Sequence, residues 1–274
     1  MKSRIGPLLN KLTGEMTIDS IEMANILAEQ YSSVFSKPST TPPTIDDPNQ
    51  SPINNIAITP HELTEAIEEL KNSAASGPDG YPAILLKNCK SSLSHPLTTF
   101  WNLSMETGNI PQSLKTSIIP PIHKGGSKSE AANYRPVALT SHLIKTFEKV
   151  LRKRMTKFLD DNDKLNKNQH GFRTGRSCLT QLLAHYDNII SLLEDGQKVD
   201  HNILLRKLQQ LGIQGKTLHW IQTFLGGRTQ RVIVNGKLSV PHNVISGVPQ
   251  GSVIGPLLFL VLIGDIDEAT FLLR

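Results

Sequence analysis

Near the end of the chain stands Ser246-Gly247-Val248-Pro249-Gln250-Gly251-Ser252-Val253-Ile254-Gly255-Pro256-Leu257-Leu258-Phe259-Leu260, a glycine- and proline-bearing loop that runs into an apolar helix. Pro256 is tolerated in a first helical turn, where the amide it lacks has no helical partner anyway. Gly247 and Gly251 carry no Cβ, so backbone there can approach a ligand closely. Gln250 is the one side chain of the loop with both donor and acceptor groups. By residue type alone, the segment is first a packing turn and second a ligand-holding loop.

Composition narrows the classes. The 274 residues are 38% hydrophobic, enough for a core, and 29 basic against 24 acidic side chains give a net charge of +5. That excess permits a nucleic-acid or phosphate partner without requiring one. Cys89 and Cys178 offer neither a disulfide framework nor zinc spacing and suit a reducing compartment. Met1 to Asn10 lacks the apolar core of a signal peptide. The apolar run Val253 to Ile263 is broken by Gly255 and Pro256, and falls short of the ~20 residues of a membrane helix. The expectation is a soluble intracellular protein with no membrane partner.

Outward from the loop, the rest divides at about residue 55. Residues 1–55 hold one helix, Ser20 to Phe35, and a linker rich in Pro, Thr, Asn and Asp from Lys37 to Pro52. They read as a leader helix and a tether. Residues 56–274 read as one domain. Thr59, Pro60 and Glu62 form a capping box ahead of the apolar face Leu63, Ala66, Ile67 and Leu70. Ser76-Gly77-Pro78-Asp79-Gly80 then turns the chain. A second helix spans about Ser94 to Thr107, with Leu97, Trp101 and Met105 inward and Gly108 as its stop. Trp101 at that spacing reads as core ahead of a base-stacking platform.

Ser117 to Ile122 reads as a short edge strand, since its prolines bar a central place. A glycine-bearing loop separates it from Asn133-Tyr134-Arg135-Pro136, leaving Lys124 and Arg135 near the loop's two ends. Such a pair suits an anion clamp: a compact ammonium charge and a guanidinium fork able to hold two phosphate oxygens. Ser141 caps a long helix with Ile144, Phe147, Leu151 and Phe158 on its apolar side. Lys145, Lys149, Arg152, Lys153, Arg154 and Lys157 crowd the remainder, as either a solvated face or a rail for an RNA backbone. Gln169 to Cys178 is a glycine-rich basic loop bearing Arg173 and Arg176, followed by a helix from Leu179 to Leu193. His170 has no second ligand at metal spacing.

Four of these segments, in this order, carry a resemblance. Ala75 to Gly80, His123 to Arg135, Gln169 to Cys178 and Ser246 to Leu260 are similar to the reverse transcriptases of non-LTR (LINE-type) retrotransposons, from about Ile56 to the end. The resemblance implies an α+β fold, helix-rich with short antiparallel strands: a partial right-hand polymerase comprising the fingers and part of the palm. It implies nucleotide binding by Lys124, Arg135 and Gln250, and template or primer positioning by Gly247, Pro249, Gly251, Arg173 and Arg176. The implied partners are an RNA template, a DNA primer and deoxynucleoside triphosphates, with Mg2+ in the intact family.

Two features depart from the pattern. The family has a strand of the form YLDFxKAFDxVDH whose first aspartate binds the catalytic metals. Here Glu194 to Asp200 runs straight into His201 to Leu208, and Val199-Asp200-His201 matches only that motif's tail. The family's double-aspartate hairpin is also missing before Arg274. Asp265 and Asp267 match the turn ahead of it, so neither is assigned a metal. A lost central strand of ~5–6 residues would remove about three buried apolar side chains, roughly 5–9 kcal/mol, which puts close packing in doubt. The expectation is an internally deleted, C-terminally truncated and inactive relative with no catalytic or metal-binding residue of its own. A non-catalytic RNA-binding protein and an incomplete gene model of an active enzyme stay open as alternatives.

Overall fold

The computed structural model describes residues 5–35, 52–164 and 200–263. The chain begins with β1 (Leu8–Leu9) and β2 (Met16–Thr17), an antiparallel pair. Next comes α1 (Ser20–Ser33), capped by Asp19, whose carboxylate accepts from the amides of Ile21 and Glu22. The predicted capping box opens α2 (Pro60–Glu68), with both reciprocal bonds formed between Thr59 and Glu62. A short α3 (Ala83–Asn88) follows, then α4 (Lys90–Thr107). Helix α4 begins four residues earlier than expected and accommodates Pro96 inside it; Gly108 ends it in the left-handed region, at φ 65°.

The run expected as one edge strand splits at Pro120, and its halves join different sheets. β3 (Thr116–Ile119) pairs in parallel with β6 (Arg228–Val234). β4 (Pro121–His123) pairs antiparallel with β5 (Tyr134–Pro136). β3 is also flanked on its other side by a bridge from Ile118 to Leu139, so it is no bare edge. The parallel pair is an exception to the expected antiparallel pattern. β7 (Lys237–Leu238) and β8 (His242–Val244) both pair antiparallel with β6, the former across the predicted Asn235-Gly236 turn.

Four more α-helices complete the described residues: α5 (His142–Asp161), α6 (His201–Gln210) and α7 (Gly215–Leu225), with α8 (Gly255–Ile263) after the strands. None of the described helices is long and apolar enough to cross a membrane. The Ser76–Gly80 turn docks on the start of α5. A Cβ at Gly77 would lie 2.5 Å from the Ser141 amide nitrogen, and the Ser141 hydroxyl donates to Asp79.

Two apolar clusters hold these elements. The larger joins α2, α4, α5, α6, α7 and α8 around a column of rings. Trp101 stacks on Phe147 at 4.8 Å, Phe147 meets the edge of Trp220 at 4.7 Å, and Trp220 stacks on Phe224 at 5.4 Å. Trp101 is fully buried and therefore core, not a platform for bases. The smaller cluster packs Met23, Leu27 and Tyr31 of α1 against Ile119, Val232 and Val234. The helix expected as a leader thus lies on the sheet, tied there by Ser32 to His242 and by the Val240 amide to Asn25. The described residues are packed around these two clusters; residues 165–199, which lead to the Asp200 junction, lie outside the described residues.

Candidate functional site

Three pieces of the site arise from local geometry. The first is the β4–β5 hairpin, in which Ile122 faces Arg135 and His123 faces Tyr134. The Lys124 amide donates to the Asn133 carbonyl at 2.9 Å, closing the ladder where the glycine loop begins. Lys124 and Arg135 are both exposed at the predicted ends of that loop, so their charges face solvent and remain available to an anion.

The second piece is the loop of Gln250, fixed from three sides. The Ala138 amide donates to the Gln250 carbonyl at 2.7 Å, joining the loop to the segment that leaves β5. His201 at the start of α6 donates from Nε2 to the Gly247 carbonyl, 2.8 Å away. Glu148 of α5 accepts from the amides of Val253 at 2.6 Å and Ile254 at 3.0 Å, and the Ser252 hydroxyl accepts from Gly255 at 3.1 Å. These bonds satisfy amides that the first turn of α8 would otherwise leave without partners. The side chain of Gln250 is left exposed. Gly247, at φ 84°, has open space where a Cβ would stand, whereas a Cβ on Gly251 would lie 2.3 Å from the Ala138 carbonyl oxygen. The close approach at Gly251 is therefore to the chain's own backbone. Pro249 is half-buried beside them.

The third piece is a cavity of about 260 Å³ between the loop, the sheet and the end of α1. Pro136 and Ala138 line it beside Val248, Pro249 and Gln250. Of the hairpin only Pro136 reaches this space beside the loop; Lys124 and Arg135 do not line it.

The basic face of α5 is largely spoken for. Lys149 pairs with Glu69 at 2.8 Å, Lys153 with Glu65 at 3.4 Å, and Arg154 holds both oxygens of Glu62 at 2.7 and 3.0 Å. Lys157 pairs with Asp161 one turn on. The bond from Arg154 holds the Glu62 carboxyl below the usual range. Lys145 is partly buried, which depresses its amine. Acidic residues 62, 65 and 69, from α2 and its C-cap, therefore pair with three cations of the would-be RNA rail, while Lys153 keeps 74% of its side chain in solvent. Replacing Glu62, Glu65 and Glu69 together by glutamine is expected to uncover three cations. Affinity for single-stranded RNA should rise severalfold, with a salt slope steeper by about 0.7 for each phosphate gained. Anisotropy titrations across a salt series check this; an unchanged slope would show that α5 contributes no phosphate contacts.

Asp200, the surviving aspartate of the junction, caps α6: its carboxylate accepts from Asn202 at 2.7 Å and Ile203 at 3.2 Å. Among the described residues no group of three or more His, Cys, Asp or Glu stands close enough to hold a metal ion. Arg173, Arg176, Asp265 and Asp267 lie outside the described residues.

Sequence reasoning missed Glu148, Arg228 and His201. Glu148 is fully buried, and burial raises its carboxyl above the usual value. Its signal was position: it falls on the same face as Ile144, Leu151 and Met155, where an acid must have partners. Arg228 is 1% exposed and opens a strand whose alternate residues face inward. The period of two, applied back from Val234 through Val232 and Gln230, would have placed it inside.

A family profile described as "Reverse transcriptase (RNA-dependent DNA polymerase)" matches residues 122–270. Among curated proteins, the "Probable RNA-directed DNA polymerase from transposon X-element" of Drosophila melanogaster is 30% identical over 243 residues, covering 82% of this chain and 27% of that protein. The corresponding protein from transposon BS of the same fly is 26% identical over 276 residues, covering 92% of this chain and 30% of its own length. The "RNA-directed DNA polymerase from mobile element jockey", again from that fly, is 27% identical over 241 residues, covering 82% and 26%. The chain thus spans between a quarter and a third of the length of these relatives. The alignment with the BS protein is longer than this whole chain while covering 92% of it, so that relative carries residues for which this chain has no counterpart.

Proposed function

The chain belongs to the reverse transcriptase (RNA-dependent DNA polymerase) family, on its non-LTR retrotransposon side, and from that premise we propose that it keeps nucleotide- and template-holding parts while lacking the polymerase chemistry. Residues 56–274 then correspond to fingers and part of a palm, and residues 1–55 to an N-terminal helix and linker. The carrying observation is Asp200. Val199-Asp200-His201 resembles only the tail of the family's pattern, not its metal-binding aspartate, and the Asp200 carboxylate is engaged in capping α6.

Nucleotidyl transfer of this type is an in-line displacement clamped by two metal ions on carboxylates, and the rate comes from positioning and charge neutralisation. Mg2+ is the ion expected for the intact family. Among the described residues no group of three or more His, Cys, Asp or Glu could hold it, and Oδ1 of Asp200 is engaged by the amides that open α6.

What remains is a binding surface for a deoxynucleoside triphosphate and an RNA template with its DNA primer. Exposed Lys124 and Arg135 supply the charge for the triphosphate, and Gln250 on its braced loop supplies the polar contact. Lys124→Ala and Arg135→Ala are each expected to weaken binding of a labelled deoxynucleoside triphosphate about tenfold, the worth of one charge-assisted bond. Equilibrium anisotropy measures it; affinity unchanged in both variants would remove the nucleotide-holding role. The RNA-rail reading is disfavoured by the pairing of α5 with α2.

A further inference from the structure

The cavity beside the Gln250 loop contains two buried donors that the nucleotide reading does not use. Arg228 is 1% exposed and lines the cavity. Its Nη1 donates to the Phe224 carbonyl at 3.2 Å, and its guanidinium lies 4.9 Å from the centre of the Phe224 ring. Its Nε and Nη2 have no hydrogen-bond partner among the described residues. Tyr31, from α1, is 5% exposed and lines the same cavity, and its hydroxyl is also without a partner. Ser117, Gln230, Ser246 and Gln250 are the other polar residues of the wall.

An arginine stays charged under any ordinary condition, so burial of its guanidinium is costly unless a counter-charge meets it. Glu148 lies near enough to act on it through space, but makes no ion pair with it; one Glu148 oxygen is held by the Val253 and Ile254 amides. The Tyr31 phenol, pushed well above its ordinary value by burial, is a neutral donor at physiological pH. A cation with two buried, unpartnered N–H groups and an unpartnered phenol O–H, beside one space whose wall is otherwise mostly apolar, call for an acceptor-rich anion. Size decides which. Pockets for drug-sized ligands run from about 300 to 1,000 Å³. At about 260 Å³ this space takes an oxyanion and its waters, not a whole nucleotide.

We propose that the cavity between α1, β6 and the Gln250 loop is a binding site for a phosphate-class oxyanion, held by Arg228 and Tyr31. Free inorganic phosphate is one source. The phosphoryl tail of a nucleotide entering past Gln250 is the other, and that source alone rests on the nucleotide-holding reading.

The test titrates the full chain with inorganic phosphate by calorimetry, against chloride at matched ionic strength. The intact chain should bind phosphate. Arg228→Met should weaken that binding by at least about tenfold, and Tyr31→Phe by a few-fold, in line with the loss of a charged and a neutral donor. Tyr31→Phe keeps the aromatic packing, so it decides the matter even if Arg228→Met fails to fold. Absence of phosphate binding by the intact chain, or binding indifferent to Tyr31→Phe, would overturn the site. Competition by dATP but not deoxyadenosine identifies the nucleotide tail as the source; phosphate binding unmoved by dATP identifies the free oxyanion. Failure of the nucleotide reading is seen separately, as dATP affinity unaffected by Lys124→Ala and Arg135→Ala.

Discussion

Trp220→Ala is expected to cost about 3–5 kcal/mol, the range for truncating a buried large aromatic residue, and to loosen three helices together. Trp220 is fully buried in α7 and stands between Phe147 of α5 and Phe224 of its own helix. Phe147 in turn stacks on Trp101 of α4, so the ring is the link by which α7 joins the column. Its indole nitrogen donates to the Ser104 hydroxyl at 3.0 Å, a bond that alanine would also remove. Denaturant unfolding of the variant measures the loss. Trp220→Phe, which keeps part of the ring packing, should recover part of it. A loss below about 1 kcal/mol would mean that the ring column does not carry the helical core.

Glu148→Ala is expected to cost about 3 kcal/mol, since it leaves two amides without their acceptor at roughly 1–3 kcal/mol each while relieving the carboxyl's own desolvation. The effect should be local as well as global. Without Glu148, the Val253 and Ile254 amides have no acceptor and the Gln250 loop loses one of its three anchors. Amide exchange at those two positions should therefore accelerate more than in the core. The pH dependence has a definite sign. Burial raises the folded carboxyl above its unfolded value of 4.5, so the folded state holds its proton longer. That contribution to stability is full below 4.5 and is lost as pH rises through the folded value. Glu148→Gln should abolish this slope and cost less than alanine. A slope identical in the intact chain and Glu148→Gln would exclude the residue as its source.

What could be read from the sequence was local. Thr59 and Glu62 form their capping box because both partners lie within one turn, and Trp101 falls inward because its neighbours repeat at helical spacing. The hairpin with Lys124 and Arg135, and the loop of Gln250, were likewise evident from glycine and proline placement. The rest depends on partners far along the chain. Nothing near Lys149, Lys153 or Arg154 announces Glu69, Glu65 and Glu62, between 80 and 92 residues earlier. The split at Pro120 follows from β3 finding β6, over a hundred residues away, while β4 turns to β5. Placement of α1 on the sheet, and with it Tyr31 beside Arg228, is a tertiary event that no periodicity encodes. Glu148 and Arg228 broke the polar-outside rule, and such exceptions mark the places where the fold holds its loop.

The central claim is that this chain retains the family's binding parts without its chemistry. Primer extension on an RNA template tests it most directly. The purified chain would be assayed with Mg2+ and all four deoxynucleoside triphosphates, beside a version carrying an aspartate-bearing strand inserted before His201 and a double-aspartate hairpin after Arg274. The account predicts extended primer from the restored version and none from the chain itself. DNA synthesis by the chain as it stands would contradict it, and would direct attention to Asp265 and Asp267 as holders of the metal.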